Sequence, residues 1–416
     1  MSGRREMRIG TERPVRLMVV IPRYAPVFGG AENQCRLLNR HLVRSERITI
    51  VSVLTSRIRP GFPRREPIDG IAVRRLGGAG VGRWTLYRFF LITGAYLLAR
   101  RKQYDVIHCH ATSVLGFVVT LVGWLTGKPV VLKLSANGEL LRAFPGQDRG
   151  RRDGVWARLH RLIASFTVRH AHTVALNAQG LDELQTAGAR RAIIIPNGVD
   201  TAVFHPPTTN EGVTARAKLG LPNSAVVFAF TGRFVLLKGL DLLLPAFQSH
   251  LTMHGAAAVR LVLVGSGELQ EESAAAVFAL DQLGPDMARA VHVHAPTDDV
   301  RPFLLASDVF VMPSRHEGLS NAVLEAIACG MVCVLSDIPP HRELKEQSPG
   351  HPIYLFPSGD SGALAATLEQ SYAATLAMRA ARRPARSGLA ETFTIGTVAG
   401  RYIDLLRAVA IRRESR

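Results

Sequence analysis

Short apolar runs rich in β-branched residues recur along the 416-residue chain, and helix-length segments separate them. The runs lack the strict apolar and polar alternation of a sheet with one solvent-exposed face. This favours parallel strands that are covered on both faces. Six lie in the first half of the chain, at residues 15–21, 48–54, 105–108, 130–134, 173–176 and 191–195. Five lie in the second half, at 225–231, 259–264, 290–294, 308–312 and 332–335. The pattern predicts an α/β protein with two doubly wound Rossmann-like sheets.

A turn-rich segment separates the two sets of strands. Residues 196–200 read Pro-Asn-Gly-Val-Asp and precede a proline pair, a composition typical of a hinge rather than of an element interior. A single core stops growing at roughly 250–300 residues, so two domains are expected. We predict a first domain at 1–200, a second domain at 201–392 and a cleft between them. A terminal helix, 393–416, is predicted to cross back onto the first domain.

The charge balance points to a polyanionic partner. The chain carries 51 Lys and Arg against 33 Asp and Glu, a formal net charge of +18, which suits nucleotide phosphates, anionic lipid or nucleic acid. Its four cysteines form no Cys-x-x-Cys pair and are predicted to be buried thiols of a reducing compartment. The first apolar stretch, 17–21, is too short for a signal peptide, and the uncharged run 111–127 is interpreted as a buried crossover helix. We therefore expect a cytoplasmic location.

The most informative segment runs from residue 313 to 330, after a predicted strand. Glu317 falls in a loop and Glu325 in the following helix, with seven residues between them, so both carboxylates can face one ligand. Ser320 is a natural N-cap for that helix, and free backbone N–H groups near its start suit phosphate oxygens. Taken singly, each glutamate could be a solvated charge. Glu325, however, stands among apolar neighbours, where a charge needs a partner or a ligand. This segment supplies four further donor-binding candidates: Gly318, Leu319, Ser320 and Asn321.

A second cluster follows the first strand of the second half. Gly232 and Arg233 stand at the strand end, and Lys238 comes five residues later, just before a helix. Arginine can grip a phosphate with two hydrogen bonds, and lysine adds a mobile point charge. The pair could neutralise a diphosphate leaving group without a metal; the alternative is two unrelated surface cations.

Three weaker signals complete the set. Gly29 and Gly30 open a helix after the first strand, where glycine lets the backbone approach a ligand closely. Gly265 begins a Gly-Ser-Gly turn, and His110 lies at a strand end, where a histidine is as often a core residue as a functional one.

Taken in chain order, these motifs resemble those of the retaining glycosyltransferases of family 4, which have the two-domain GT-B fold. The resemblance runs nearly end to end and covers Gly29-Gly30-Ala31-Glu32, residues 196–200, Gly232-Arg233, Lys238-Gly239, Gly265-Ser266-Gly267 and Glu317 with Glu325. It implies that the first domain, 1–200, binds the acceptor and that the second, 201–392, binds the nucleotide sugar. Arg233 and Lys238 would bind the donor diphosphate, and Glu325 would hold the ribose. Glu317 would contact the transferred sugar near the reacting centre, and the first-domain glycine loop would close over the donor.

The implied reaction transfers a sugar from a nucleotide-diphosphate sugar to a hydroxyl of a glycan or lipid-linked acceptor, as in cell-surface polysaccharide or glycolipid synthesis. No cofactor and no obligatory metal are expected. Relatives often carry a histidine after the fourth strand, where this chain has Ser135; Asn137, Glu139 or His110 could supply the acceptor-side contacts instead. A GT-B nucleotide-sugar epimerase is the alternative enzyme. A basic nucleic-acid-binding protein would explain the charge but not the glutamate pair, and nucleic acid is not an expected partner.

A lipid-linked acceptor raises the prospect of peripheral association with an anionic membrane surface. Residues 84–101 mix basic residues with aromatic ones, including Trp84, Phe89 and Phe90, and residues 142–169 form a second basic stretch. The alternative is a core helix with a solvated rim.

Overall fold

The structure is a computed structural model that describes residues 13–27, 29–80, 82–112, 114–134, 155–265, 284–381 and 387–414. Within these ranges the chain forms two β-sheets with helices on both faces, so the predicted α/β class with two doubly wound sheets is confirmed.

The first sheet has eight strands in the order β3-β4-β2-β1-β5-β6-β7-β8 among the described residues, and only β3 runs antiparallel to its neighbour. In chain order the strands are β1 (Val15–Val20), β2 (Ile48–Arg57), β3 (Arg65–Ile68), β4 (Ile71–Ala79), β5 (Val106–Cys109), β6 (Val130–Lys133), β7 (His172–Ala175) and β8 (Ala192–Ile194). The β3–β4 hairpin was not predicted, because its strands alternate polar and apolar residues and contain no unbroken apolar run. Asp69 and Gly70, both with positive φ, make the tight turn between its strands, and this Asp-Gly signal could have revealed it.

The second sheet is parallel throughout its described strands and has the order β11-β10-β9-β12-β13-β14. Its strands are β9 (Val226–Thr231), β10 (Val259–Val264), β11 (Val291–His294), β12 (Val309–Met312), β13 (Val332–Ser336) and β14 (Ile353–Phe356). Only the short edge strand β14 lies outside the predicted runs. Strands β9 and β12 are neighbours at the centre of the sheet, so the segments that follow them emerge side by side at its carboxyl edge.

Helices cover both faces of each sheet. They are α1 (Gly30–Arg44), α2 (Arg83–Ala99), α3 (Val114–Thr126), α4 (Val155–His170), α5 (Ala178–Thr186), α6 (Thr209–Leu219), α7 (Leu240–His254), α8 (Pro285–Ala290), α9 (Arg301–Leu305), α10 (Asn321–Ala328), α11 (Pro339–Glu346), α12 (Ser361–Ala380) and α13 (Ile395–Glu414). The predicted crossover helix in the uncharged run is α3, whose Leu115, Val119 and Val122 are buried. No helix in the described ranges is long and apolar enough to span a bilayer.

The chain returns to the first sheet after completing the second. The backbone of Val199 exchanges hydrogen bonds with Phe393 and Ile395, so the outgoing and returning segments run side by side. Helix α13 then packs on α1, β1 and β5, and it buries Val398, Tyr402 and Leu406 in the core on that face. The four cysteines are all buried free thiols, as predicted.

Candidate active site

Glu317 and Lys238 form an ion pair at the carboxyl edge of the second sheet. Lys238 ends a 3₁₀ turn that follows β9, and Glu317 lies in the loop between β12 and α10. The Nζ of Lys238 lies 2.5 Å from Oε1 of Glu317, and the Ser314 hydroxyl donates to the same oxygen at 2.7 Å. Two residues chosen separately from the sequence, 79 positions apart, are thus in direct contact.

The environment of Glu317 keeps it ionised. Its side chain is only 9% exposed, and burial alone would raise its pKa. The attraction of Lys238, the hydrogen bonds from Lys238 and Ser314, and nearby His341 outweigh burial and leave the pKa below its ordinary value. The site therefore presents a carboxylate that accepts hydrogen bonds from hydroxyl groups at neutral pH.

Two glycines allow the backbones of this edge to pack closely. Gly239 has φ +75°, and a Cβ there would lie 2.1 Å from the carbonyl oxygen of Pro313. Gly265 has φ +154°, and a Cβ there would lie 1.9 Å from the carbonyl oxygen of Gly232. Side chains at Gly239 or Gly265 would displace the two turns that carry Lys238 and Arg233.

Glu325 lies on α10, the helix that follows the loop carrying Glu317, and is half-buried. Removal from water raises the pKa of this carboxyl to about 8. Within the described ranges no basic side chain or hydrogen-bond donor pairs with it. Glu325 is partly open to solvent and has no partner among the described side chains, so a ligand can reach it.

The backbone N–H groups at the start of α10 are available to a hydrogen-bond acceptor such as a phosphate oxygen. Ser320 occupies the N-cap position, as predicted, but its side chain accepts no hydrogen bond from the helix. The first backbone N–H groups of a helix have no partner inside the helix and attract anions. Gly318, Leu319, Ser320 and Asn321 therefore form a turn with free donors between the two glutamates.

The first sheet contributes contacts to this same turn. Asn321 donates through Nδ2 to the carbonyl of Gly30 at 2.9 Å, so the first-domain glycine loop lies directly against the helix start. Asn197 donates to the carbonyl of Leu319 at 3.1 Å and to Oδ1 of Asn321 at 2.8 Å. Asn177 donates to the carbonyl of Gly318 at 2.5 Å.

Two of these contact residues were not predicted from sequence. Asn177 follows β7, and Asn197 belongs to the Pro-Asn-Gly turn, which was predicted as the hinge and as a family motif but given no contact with the site. The buried Lys133 donates to Oδ1 of Asn197 at 2.9 Å, and burial lowers the pKa of Lys133 to about 8. Asparagine at the end of a buried strand was the available signal, because polar residues at that edge line the cleft.

The remaining candidate residues make no described contact with the Lys238–Glu317 pair. Arg233 is exposed, and no acidic side chain within the described ranges pairs with it. His110 is buried beside His108, with ring centroids 4.3 Å apart, and burial holds its pKa well below the ordinary value. Ser135, Asn137, Glu139, Ser266 and Gly267 lie outside the described residues.

Solved structures with the same architecture are glycosyltransferases. Anabaena HepE in complex with UDP and glucose superposes with a TM-score of 0.70 at 17% identity, over 94% of this chain and 99% of that one. WaaG, a glycosyltransferase involved in lipopolysaccharide biosynthesis, superposes with a TM-score of 0.68 at 14% identity, over 94% and 99%. These likenesses show that the chain has the two-domain GT-B fold of glycosyltransferases.

Sequence comparison gives the family. Residues 28–203 match Glycosyltransferase Family 4, and residues 225–373 match Glycosyl transferases group 1. D-inositol 3-phosphate glycosyltransferase 1 of Catenulispora acidiphila is 32% identical over 292 residues, which are 67% of this chain and 69% of that protein. The chain belongs to glycosyltransferase family 4.

Other relatives differ in donor and acceptor. A GDP-mannose-dependent alpha-mannosyltransferase of Mycobacterium tuberculosis is 27% identical over 79% of this chain and 82% of its own length. UDP-Gal:alpha-D-GlcNAc-diphosphoundecaprenol alpha-1,3-galactosyltransferase of Escherichia coli is 27% identical over 58% of this chain and 60% of its own length. The epimerase and nucleic-acid-binding alternatives find no support among these relatives.

Proposed function

We propose that this protein transfers a sugar, with retention of configuration, from a nucleotide-diphosphate sugar in the second domain to an acceptor hydroxyl presented by the first. The observation that carries the proposal is the arrangement around the start of α10. On one side stands the Lys238–Glu317 pair, on the other the unpaired Glu325, and between them lie free backbone N–H groups. Cations and amides suit a diphosphate, whereas carboxylates suit the hydroxyls of the sugar and the ribose.

Each residue then has a distinct contact. Lys238 and the exposed Arg233 neutralise the diphosphate as its bond to the anomeric carbon breaks, which is the main electrostatic task. Glu317, held ionised by Lys238, accepts hydrogen bonds from the transferred sugar. Glu325 accepts from the ribose hydroxyls, and Gly29 and Gly30 close over the donor from the first domain. A panel of nucleotide sugars, screened for protection against thermal unfolding and then for transfer, tests this assignment; no protection by any member would contradict it.

The acceptor in this proposal is a glycan or a lipid-linked sugar. Relatives named for an inositol phosphate and for a diphosphoundecaprenol-linked sugar support an acceptor hydroxyl on a small polar or lipid-linked molecule. His110 lies at the carboxyl end of β5 and is the described acceptor-side candidate.

Nucleotide binding is expected to release up to about one proton per site at pH 7. The pKa of Glu325 is raised to about 8, so the free carboxyl is largely protonated at that pH. Ribose hydroxyls donate to a carboxylate and favour its charged form, so its pKa falls on binding and affinity rises between pH 6 and 8. Titration calorimetry with UDP or GDP in two buffers of different ionisation heat measures the release. Glu325→Gln is the control, and equal proton release by that variant would contradict the assignment.

We propose that turnover needs no metal, because Lys238 and Arg233 supply the positive charge at the diphosphate. Asp298 and Asp299 look superficially like a metal motif, but Asp299 accepts the backbone N–H of Arg301 at the start of α9. EDTA is therefore expected to leave the initial transfer rate unchanged. Loss of the rate, with recovery on adding Mg²⁺ or Mn²⁺, would count against this mechanism.

We also propose that the first domain associates with an anionic membrane surface. Helices α2, α3 and α4 pack side by side, and they expose Trp84 (83%), Leu91, Trp124 and Leu162 (68%). Exposed basic residues occur on α2 and α4 or directly after α2, at Arg88, Arg100, Arg101, Lys102, Arg158 and Arg161. Phe89 and Phe90 do not belong to this surface, because both face the core, and that part of the sequence interpretation was wrong.

The membrane proposal predicts sedimentation with vesicles rich in anionic lipid at low salt. Leu91→Glu with Leu162→Glu is expected to reduce the bound fraction at least about tenfold, because two charges replace apolar contacts in an anionic interface. Val213→Glu, on exposed α6 of the second domain, is the matched control. Failure of the wild-type protein to sediment, or an equal loss in the control, would contradict the proposal.

A further inference from the structure

Two histidines and a glutamate converge where α7 packs against α12, on the second domain. His250 and His254 are four residues apart on α7, so one helical face carries both rings. Glu369 reaches them from α12, with Oε2 placed 3.1 Å from Nδ1 of His250 and 2.7 Å from Nε2 of His254. The ring of Tyr372, also on α12, lies against both imidazoles, with centroids 5.3 and 4.3 Å away.

His250 is not satisfied by its protein neighbours. Its residue is 2% exposed, and within the described part of the chain neither ring nitrogen makes a hydrogen bond. Nδ1 lies near the Glu369 oxygen but is not aligned for one. Burying an imidazole without a hydrogen-bond partner is costly, and a metal ion is one ligand that would remove this cost.

The ligand atoms have the spacing of a transition-metal site. Zinc binds imidazole nitrogen and carboxylate oxygen at about 2.0–2.2 Å in tetrahedral geometry, which separates neighbouring ligand atoms by about 3.3 Å. The three candidate atoms all lie within 4.8 Å of one another. Glu369 is 40% exposed, so an ion can enter from solvent and water can take the fourth position.

We propose that His250, His254 and Glu369 bind a divalent transition metal of the zinc class and that this ion ties α7 to α12. The site is separate from the donor site. Lys238 precedes the first residue of α7 and His254 ends it, so the ion stands about 20 Å along the helix from the diphosphate-binding turn. Its role is to hold the helix that begins at that turn, and it takes no part in transfer.

The test uses the full chain without an affinity tag, stripped with EDTA and dialysed. Co²⁺ is titrated while the visible absorption of tetrahedral cobalt is followed, and Zn²⁺ is then added to displace it. We expect one ion per chain and a rise in the unfolding temperature with Zn²⁺. His254→Gln and Glu369→Gln, both at positions with solvent access, are expected to weaken binding at least about a hundredfold, since each removes a direct ligand.

The control is His170→Gln, which changes an exposed histidine of α4 and should bind as the wild type does. Absence of stoichiometric Co²⁺ binding would overturn the proposal and leave Glu369 as an ion-pair partner of the histidines. Equal affinity in wild type, His254→Gln and Glu369→Gln would overturn it as well. Because the readouts are absorption and unfolding temperature, the result is independent of whether transfer requires a metal.

Discussion

Lys238→Ala is expected to lower kcat by about a hundredfold to a thousandfold, the loss typical of removing one preorganised charge from a developing anion. Negative charge on the diphosphate grows as the glycosidic bond breaks, so the lost interaction belongs mainly to the transition state. The substitution also leaves the buried Glu317 without its cation, and the pKa of that carboxyl should rise. Arg233→Ala should change kcat in the same direction. Initial rates at saturating donor, beside calorimetry with the nucleotide diphosphate, measure the two effects separately.

Lys345→Ala is the matched control for Lys238→Ala, because Lys345 is an exposed lysine of the same domain on α11. It should retain the wild-type rate. A Lys238→Ala protein that folds, binds the nucleotide and keeps more than about a third of the wild-type kcat would contradict the diphosphate role.

Glu317→Ala is expected to remove most transfer activity while leaving affinity for the free nucleotide diphosphate nearly intact. Its contact is with the sugar, which the free nucleotide lacks, and its loss frees Lys238 for the phosphates. Glu325→Ala should act differently, because ribose is present in both ligands, and should weaken the nucleotide diphosphate and the full donor alike. Calorimetry and initial rates for the two variants, each checked for folding by circular dichroism, make the comparison. Equal behaviour of the two variants would show that sugar and ribose are wrongly assigned.

Much of the fold follows from local patterns, and the misses have a physical cause. Buried parallel strands are continuous apolar runs, so eleven of the fourteen described strands coincide with predicted ones. The β3–β4 hairpin alternates polar and apolar residues at a sheet edge, where one side is solvated. The sequence feature that indicates this hairpin is the two-residue Asp69-Gly70 turn, and the apolar content of the strands does not reveal it.

The sequence offered candidate site residues one at a time but did not show how they are arranged in space. Glu317 and Lys238 each follow a strand and were both chosen, yet their contact depends on β9 and β12 being adjacent, which strand composition does not encode. For Asn197, the sequence indicated the local turn but not the long-range contact. A Pro-Asn-Gly sequence indicates a turn, and nothing local shows that the asparagine amide reaches the helix start 124 positions later.

The contacts of Asn197 link the segment between the two sheets to the donor turn itself. A motion that separates the sheets must break its hydrogen bonds to Leu319 and Asn321, and that of Asn321 to Gly30, each worth about 0.5–1.5 kcal/mol. If the donor binds at residues 318–321 as proposed, it stabilises the turn that holds these bonds, and the closed arrangement then favours the donor by the same free energy. On that proposal, nucleotide release and separation of the sheets would be coupled, so a substitution at Asn197 should alter how long the product stays bound.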